Sequence, residues 1–160
     1  MGIKINPKNY IQLNIILFGS MVVGTATLLV SSYYLHTQNM ISKNENLNRF
    51  FAWGIPSFSI LGVALSISLF KTLLNRIYPE YNLETKLTKY RSYLIIKFGL
   101  LEATCLFPTV GYLLTGTFIY LISGVALFIL FLLHRPTKSK LIEDLQLSPE
   151  QIKKIEDGTA

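Results

Sequence analysis

Between residues 98 and 133 the chain carries a single charged side chain, Glu102, near the middle of the 93–114 apolar run. An ionised carboxylate at that depth of a bilayer costs roughly 2.5–3.5 kcal/mol on insertion scales. A carboxyl placed there is therefore neutral, paired, or turned towards a wet cavity, and the chemistry open to it is exchange of a proton or a cation. Arg91 and Lys97 precede it in the same segment, and Thr109 follows on the same helical face together with Gly99 and Leu106, with Cys105 alongside. Five residues of helix turn through about 140°, so Lys97 and Glu102 do not face each other and no ion pair within the helix is expected. Arg91 belongs at the interface, and the Lys97 stem is long enough to snorkel back to the headgroups.

No other constellation of this kind is present. The sequence holds no glycine-rich phosphate loop, no cluster at metal-ligand spacing and no nucleophile–histidine arrangement. An enzyme, a metal and a cofactor are accordingly not expected. Cys105 is the single cysteine and reads as a packing residue. His36 has no acidic, histidine or cysteine neighbour at ligand spacing and reads as a surface residue. The acids Glu143, Asp144, Glu156 and Asp157 read as solvated faces.

The elements that must position Glu102 follow from composition. The 160 residues are 51% hydrophobic and only 15% charged, against about 25% charged in ordinary soluble domains. Residues 13–35 and 50–70 are free of charge, and residues 98–133 are interrupted only by Glu102. A span takes about 20 residues. The third run is too long for one span and breaks at Thr115-Gly116-Thr117, the only small polar break near its centre. The expected fold is thus all-α: a polytopic membrane protein whose domain 1–135 holds four transmembrane helices at about 13–35, 50–74, 93–114 and 118–134. Residues 136–160 form a short amphipathic helical tail. Leu141, Ile142 and Leu145 give that tail one apolar face, and Ser148-Pro149-Glu150-Gln151 reads as a helix start with a reciprocal serine–glutamine cap. Because Arg135-Pro136 ends the last span, the tail is expected to be separable and to lie on headgroups, on the 75–90 hairpin, or on a partner.

The formal net charge is +6, but its distribution points to topology and not to nucleic acid. Lys4, Lys8, Lys71, Arg76, Lys86, Lys89, Arg91, Arg135, Lys138, Lys140, Lys153 and Lys154 fall on one side of the four spans, and only Lys43 and Arg49 on the other. Lysine and arginine beside span ends are retained in the cytoplasm, which places both termini there, most simply at a bacterial plasma (inner) membrane. Phe50, Phe51 and Trp53 supply an interfacial aromatic belt.

Small residues mark expected contacts. Ser20, Gly24, Thr27 and Ser31 share one face of the first span; Ser59, Gly62 and Ser66 share one face of the second; Gly99 and Ala103 flank Glu102 in the third. Such stripes let helices approach closely in lipid. Ile15-Ile16-Leu17-Phe18-Gly19 is matched by Ile95-Ile96-Lys97-Phe98-Gly99, and Ile60-Leu61-Gly62-Val63-Ala64-Leu65 by Ile122-Ser123-Gly124-Val125-Ala126-Leu127. This is the pattern of two repeated hairpins, in which Val22 is the counterpart of Glu102 and the charge belongs to one half only.

The segments RSYLIIKFGLLE (residues 91–102), Tyr112-Leu113-Leu114-Thr115-Gly116 and RPTKSKLIEDLQLS (residues 135–148) resemble an uncharacterised family of small four-span bacterial membrane proteins. The resemblance implies the topology and a recurrent intramembrane glutamate. The stretch Lys89-Tyr90-Arg91 through Glu102-Ala103 is similar to the rotor c-subunit of ATP synthases, where a basic loop leads into a helix bearing a mid-membrane acid. The second span here lacks that family's alternating glycines, and two further spans flank the hairpin. Two functions are therefore carried forward. In the first, the chain is a non-enzymatic oligomeric or accessory membrane component, meeting the lipid bilayer and a second copy or another membrane protein through its seams and tail. In the second, it is a small transporter or ion-translocating subunit that uses Glu102.

Overall fold

The computed structural model describes residues 7–38, 40, 45–78 and 80–157, and these form helices joined by short turns with no strand among them. The order is α1 (Pro7–Thr37), a 3₁₀ turn (Glu45–Leu47), α2 (Asn48–Leu74), α3 (Leu83–Thr115), α4 (Phe118–Leu133), α5 (Lys138–Leu145) and α6 (Pro149–Asp157). Local chemistry sets several boundaries. Asn82 caps α3 by accepting the Thr85 amide at 2.9 Å. Gly116 ends α3 with φ of 68°, a left-handed turn that glycine adopts without steric cost. Thr137 caps α5. Before α6, the Ser148 hydroxyl accepts the Gln151 amide while the Gln151 side chain accepts the Ser148 amide.

The bundle is arranged around α3, which touches α2, α4 and α1. Buried side chains recur along it from Leu83 to Thr115, including Leu94, Phe98, Leu101, Thr104, Cys105, Pro108 and Thr109. One core joins α1, α3, α4 and the tail, with Phe18, Phe98 and Phe131 stacked at ring-centroid distances of 5.0, 5.0 and 6.3 Å. A smaller core at the opposite end gathers Phe51, Ile55, Tyr112 and Tyr120. Only Phe51 of the expected aromatic belt enters it; Phe50 and Trp53 stand exposed.

The outer surface is apolar to an extent that water would not tolerate. Ile16, Val23, Val30, Ile60, Leu61, Ile119, Ile129 and Leu133 are all exposed, and large apolar side chains exposed in such numbers are unusual for a soluble monomer. Lipid is the solvent that suits such a surface. Three helices, α1, α2 and α3, are long and apolar enough to cross a membrane, which is consistent with an integral membrane protein. The fourth helix is short: α4 has 16 residues and reaches span length only when combined with α5, from which it is bent by 71°.

The tail folds back. Leu141, Leu145, Leu147 and Ile155 are buried in the same core as Tyr10, Leu87 and Leu94, and α6 lies against α1. Tyr90 of α3 donates its hydroxyl to Asp144 Oδ2 at 2.7 Å. Of the three resting places open to a separable tail, the chain uses its own hairpin base and α1.

The two small-residue stripes part company here. On α2, Gly62 and Ser66 are buried against α3, Ser66 donating to the Lys97 carbonyl at 3.1 Å. A Cβ at Gly62 would run into the Thr104 methyl, and Thr104 is held in place by its own hydroxyl bond to Leu101 O. On α1, Ser20, Gly24, Thr27 and Ser31 all face outward. A Cβ at Gly24 or at Gly99 would meet nothing within 4 Å. The expectation that Ser20 and Gly24 form a packing seam is thus corrected for contacts within the chain: α1 packs through Tyr10, Asn14, Phe18, Thr25, Leu29 and Ser32 instead. Ala103 is half-buried. Gly62→Ala is expected to destabilise the folded protein by about 1–3 kcal/mol, the usual scale of overpacking, while Gly24→Leu leaves the single chain unaffected. Thermal melts of both variants in detergent check this, and a size shift on gel filtration in Gly24→Leu alone would report a contact between copies.

Candidate functional site

Three polar contacts tie α1 to α3, and each joins residues 77 apart in sequence. Tyr10 donates its hydroxyl to the Leu87 carbonyl at 2.8 Å. Thr25 Oγ1 lies 3.4 Å from Glu102 Oε1. His36 Nε2 lies 2.6 Å from the Leu113 carbonyl, its ring 4.9 Å from that of Tyr112. A constant offset means that the two helices run parallel with no slippage between them. The first and last rungs reach main-chain oxygens, and the middle rung is the Glu102 carboxyl.

Glu102 is half-buried, and its partner Thr25 is fully buried. The same Thr25 hydroxyl lies 3.0 Å from the Met21 carbonyl one turn back. Thr25 Oγ1 thus has one proton and two acceptors within reach, the Met21 carbonyl on its own helix and Glu102 Oε1 across the interface.

The other candidate residues do not gather round Glu102. Lys97 places Nζ 4.3 Å over the Phe70 ring of α2, a cation–π contact on a different neighbour. Thr109 is buried towards α4: its hydroxyl donates to Cys105 O at 2.8 Å, and a Cβ at Gly124 would lie 2.9 Å from that oxygen. Arg91 sits at the α3 base, half-buried. Glu102, Lys97 and Thr109 therefore serve separate contacts along α3, Arg91 lies at its base, and the four do not build a shared site. Among the described residues no group of three or more His, Cys, Asp or Glu could hold a metal ion.

Several polar partners lay outside the sequence reading. His36 is half-buried and hydrogen-bonded, which corrects its assignment as a surface residue; the carbonyls ending α3 are the signal, since the last turn of a helix leaves them unpaired. Asn48, at the start of α2, accepts from Thr117 Oγ1 at 3.1 Å and lies 2.6 Å from the Tyr120 hydroxyl, pinning the starts of α2 and α4 together. Asp144 is engaged by Tyr90 and is not simply a solvated face.

Compared with known proteins, the chain matches no family profile, no curated protein and no solved structure. Its reading therefore rests on its own geometry.

The ladder makes a graded prediction. Tyr10→Phe removes one rung while keeping the ring, and should lower stability by about 0.6 kcal/mol and by no more than about 1.7, the measured range for hydrogen bonds between membrane helices. His36→Ala should cost at least as much, because it also removes the ring contact with Tyr112. Unfolding in mixed micelles under increasing denaturing detergent checks both.

Proposed function

We propose that the chain is a non-enzymatic integral membrane component, a four-span bundle acting as an oligomeric or accessory subunit, in which Glu102 is a structural pin. The observation that carries this reading is the Thr25–Glu102 rung at the same 77-residue offset as two plainly structural rungs. The Thr25 hydroxyl donates to the Met21 carbonyl and, at longer range, to Glu102 Oε1, and the pin reading takes the acid as neutral. That arrangement is inexpensive in lipid, where an ionised acid is not.

The fourth span is α4, tilted little because of its length, and the bend into α5 marks the membrane surface. The lysine and arginine excess sets the α2–α3 turn, the tail and the N-terminal lead on the cytoplasmic side of a bacterial inner membrane. The outward Ser20–Gly24–Thr27–Ser31 face of α1 supports association with a second copy or with another membrane protein. Duplication of an ancestral hairpin is supported by two pairs of counterparts. Phe18 and Phe98 stack on each other, and Gly62 and Gly124 each receive a threonine of α3. The resemblance to small four-span bacterial proteins agrees with this topology.

A second reading, ion or proton translocation through Glu102, draws on the length of its one bond, 3.4 Å, and on its partial exposure. Substitution separates the two. As a pin, Glu102→Gln preserves shape and donor capacity and should leave stability within about 0.5 kcal/mol, whereas Glu102→Ala should lose roughly 1 kcal/mol. As an exchange site, Gln is as damaging as Ala in an ion- or proton-flux assay on vesicles containing the protein. Flux in the wild type that Gln abolishes would replace the structural reading with the transport one.

A further inference from the structure

At the end of the bundle that carries the tail, a cavity of about 360 Å³ opens between the last turn of α2, the first turn of α3 and the end of α5. Its polar lining is Lys71, Asn75, Lys86, Asp144 and Gln146, with Leu74, Ile77 and Leu145 as apolar wall. Lys86 is the unusual member: the residue is only 4% exposed, and neither it nor Lys71 forms an ion pair or side-chain hydrogen bond with any described residue. The Lys86 stem is enclosed, but its ammonium is not among the fully buried polar atoms without a partner, so the charge is delivered to the cavity.

The acceptors nearest the cavity are engaged in part within the chain. The carbonyls ending α2 accept from Asn75, Arg76 and Ile77 amides at 3.1, 3.1 and 2.9 Å. Those ending α5 accept from Gln146 and Leu147 amides. Asp144 holds the Tyr90 hydroxyl at 2.7 Å through Oδ2. Two lysines against one such carboxylate leave the cavity with an excess of positive charge, and two side-chain amides, Asn75 and Gln146, add neutral donors.

We infer that this cavity is a binding site for a net-anionic phosphate group, with Lys86 and Lys71 as its cationic ligands and Asn75 and Gln146 as hydrogen-bond donors. The group can come from the headgroup of an anionic phospholipid or from free phosphate. The inference uses the membrane placement proposed above, which brings the cavity to headgroup level on the basic side, and it is independent of the role of Glu102.

The test uses the full-length protein in neutral detergent, with thermal unfolding followed by the fluorescence of Trp53. Short-chain phosphatidylglycerol, short-chain phosphatidylcholine and inorganic phosphate are titrated separately. A saturable rise in melting midpoint with phosphatidylglycerol alone assigns the site to a lipid headgroup; a rise with inorganic phosphate as well shows that the phosphate suffices. In either case Lys86→Met and Lys71→Gln should each weaken apparent affinity at least about tenfold, the loss of one charge-assisted contact, and Glu102→Gln should bind as wild type. Lys71 is exposed, so Lys71→Gln carries the test if Lys86→Met does not fold. The inference is overturned if neither anion shifts the midpoint, if phosphatidylcholine binds as well as phosphatidylglycerol, or if the folded lysine variants bind like wild type. Absence of the protein from the membrane fraction would instead overturn the membrane reading.

Discussion

Helices in lipid gain nothing from hiding apolar surface from one another, because the lipid tails are as apolar as leucine. What holds this chain together within its apolar region is close contact with α3. The contact is made intimate where a neighbour gives up its side chain: Gly62 of α2 receives Thr104, and Gly124 of α4 lies against Thr109. Both threonines spend their hydroxyl protons on their own helix, on Leu101 O and Cys105 O. Their methyl and oxygen surfaces are thereby presented in fixed positions. The third neighbour, α1, offers no such glycine and is held by the polar ladder and by the Phe18–Phe98–Phe131 stack.

The two ends of the bundle are built on different principles. At the α1–α2 turn the core is small and its order comes from side chains reaching main-chain or amide oxygens: His36 to Leu113 O, Tyr120 and Thr117 to Asn48. At the opposite end the tail closes over the bundle, with Leu141, Leu145, Leu147 and Ile155 entering a core shared with Tyr10, Leu87 and Tyr90. That end resembles a water-soluble domain, with capped helices and an amphipathic cover. The Phe70 ring belongs to that same end, packing against Tyr90 at 6.0 Å and carrying Lys97 Nζ above it.

The helices were legible in the sequence because length and composition decide them locally. The break at Thr115-Gly116-Thr117 and the cap at Ser148 and Gln151 follow from nearest-neighbour chemistry. The partner of a face is not local information. Periodicity marked Ser20 and Gly24 as one stripe but could not say which way the stripe points, and α1 turns its Asn14–Thr25–Ser32 side inward instead. Spacing also separated Lys97 from Glu102 correctly, yet their real partners, Phe70 and Thr25, belong to other helices. His36 and Lys86 were opaque for the same reason: each acquires its meaning from an element distant in sequence, the end of α3 in one case and the end of α5 in the other.

The central claim is that α1 lies parallel to α3 with Thr25 opposite Glu102. It is tested by placing cysteines at 25 and 102 in a Cys105→Ala background, with a protease site inserted between residues 40 and 45. Native membranes are treated with a short bis-maleimide and then cleaved. The account predicts that the two fragments of one chain stay joined, whereas a control pair at 24 and 102 joins far less. Fragments that separate at 25 and 102, or that join only between different chains, would contradict it.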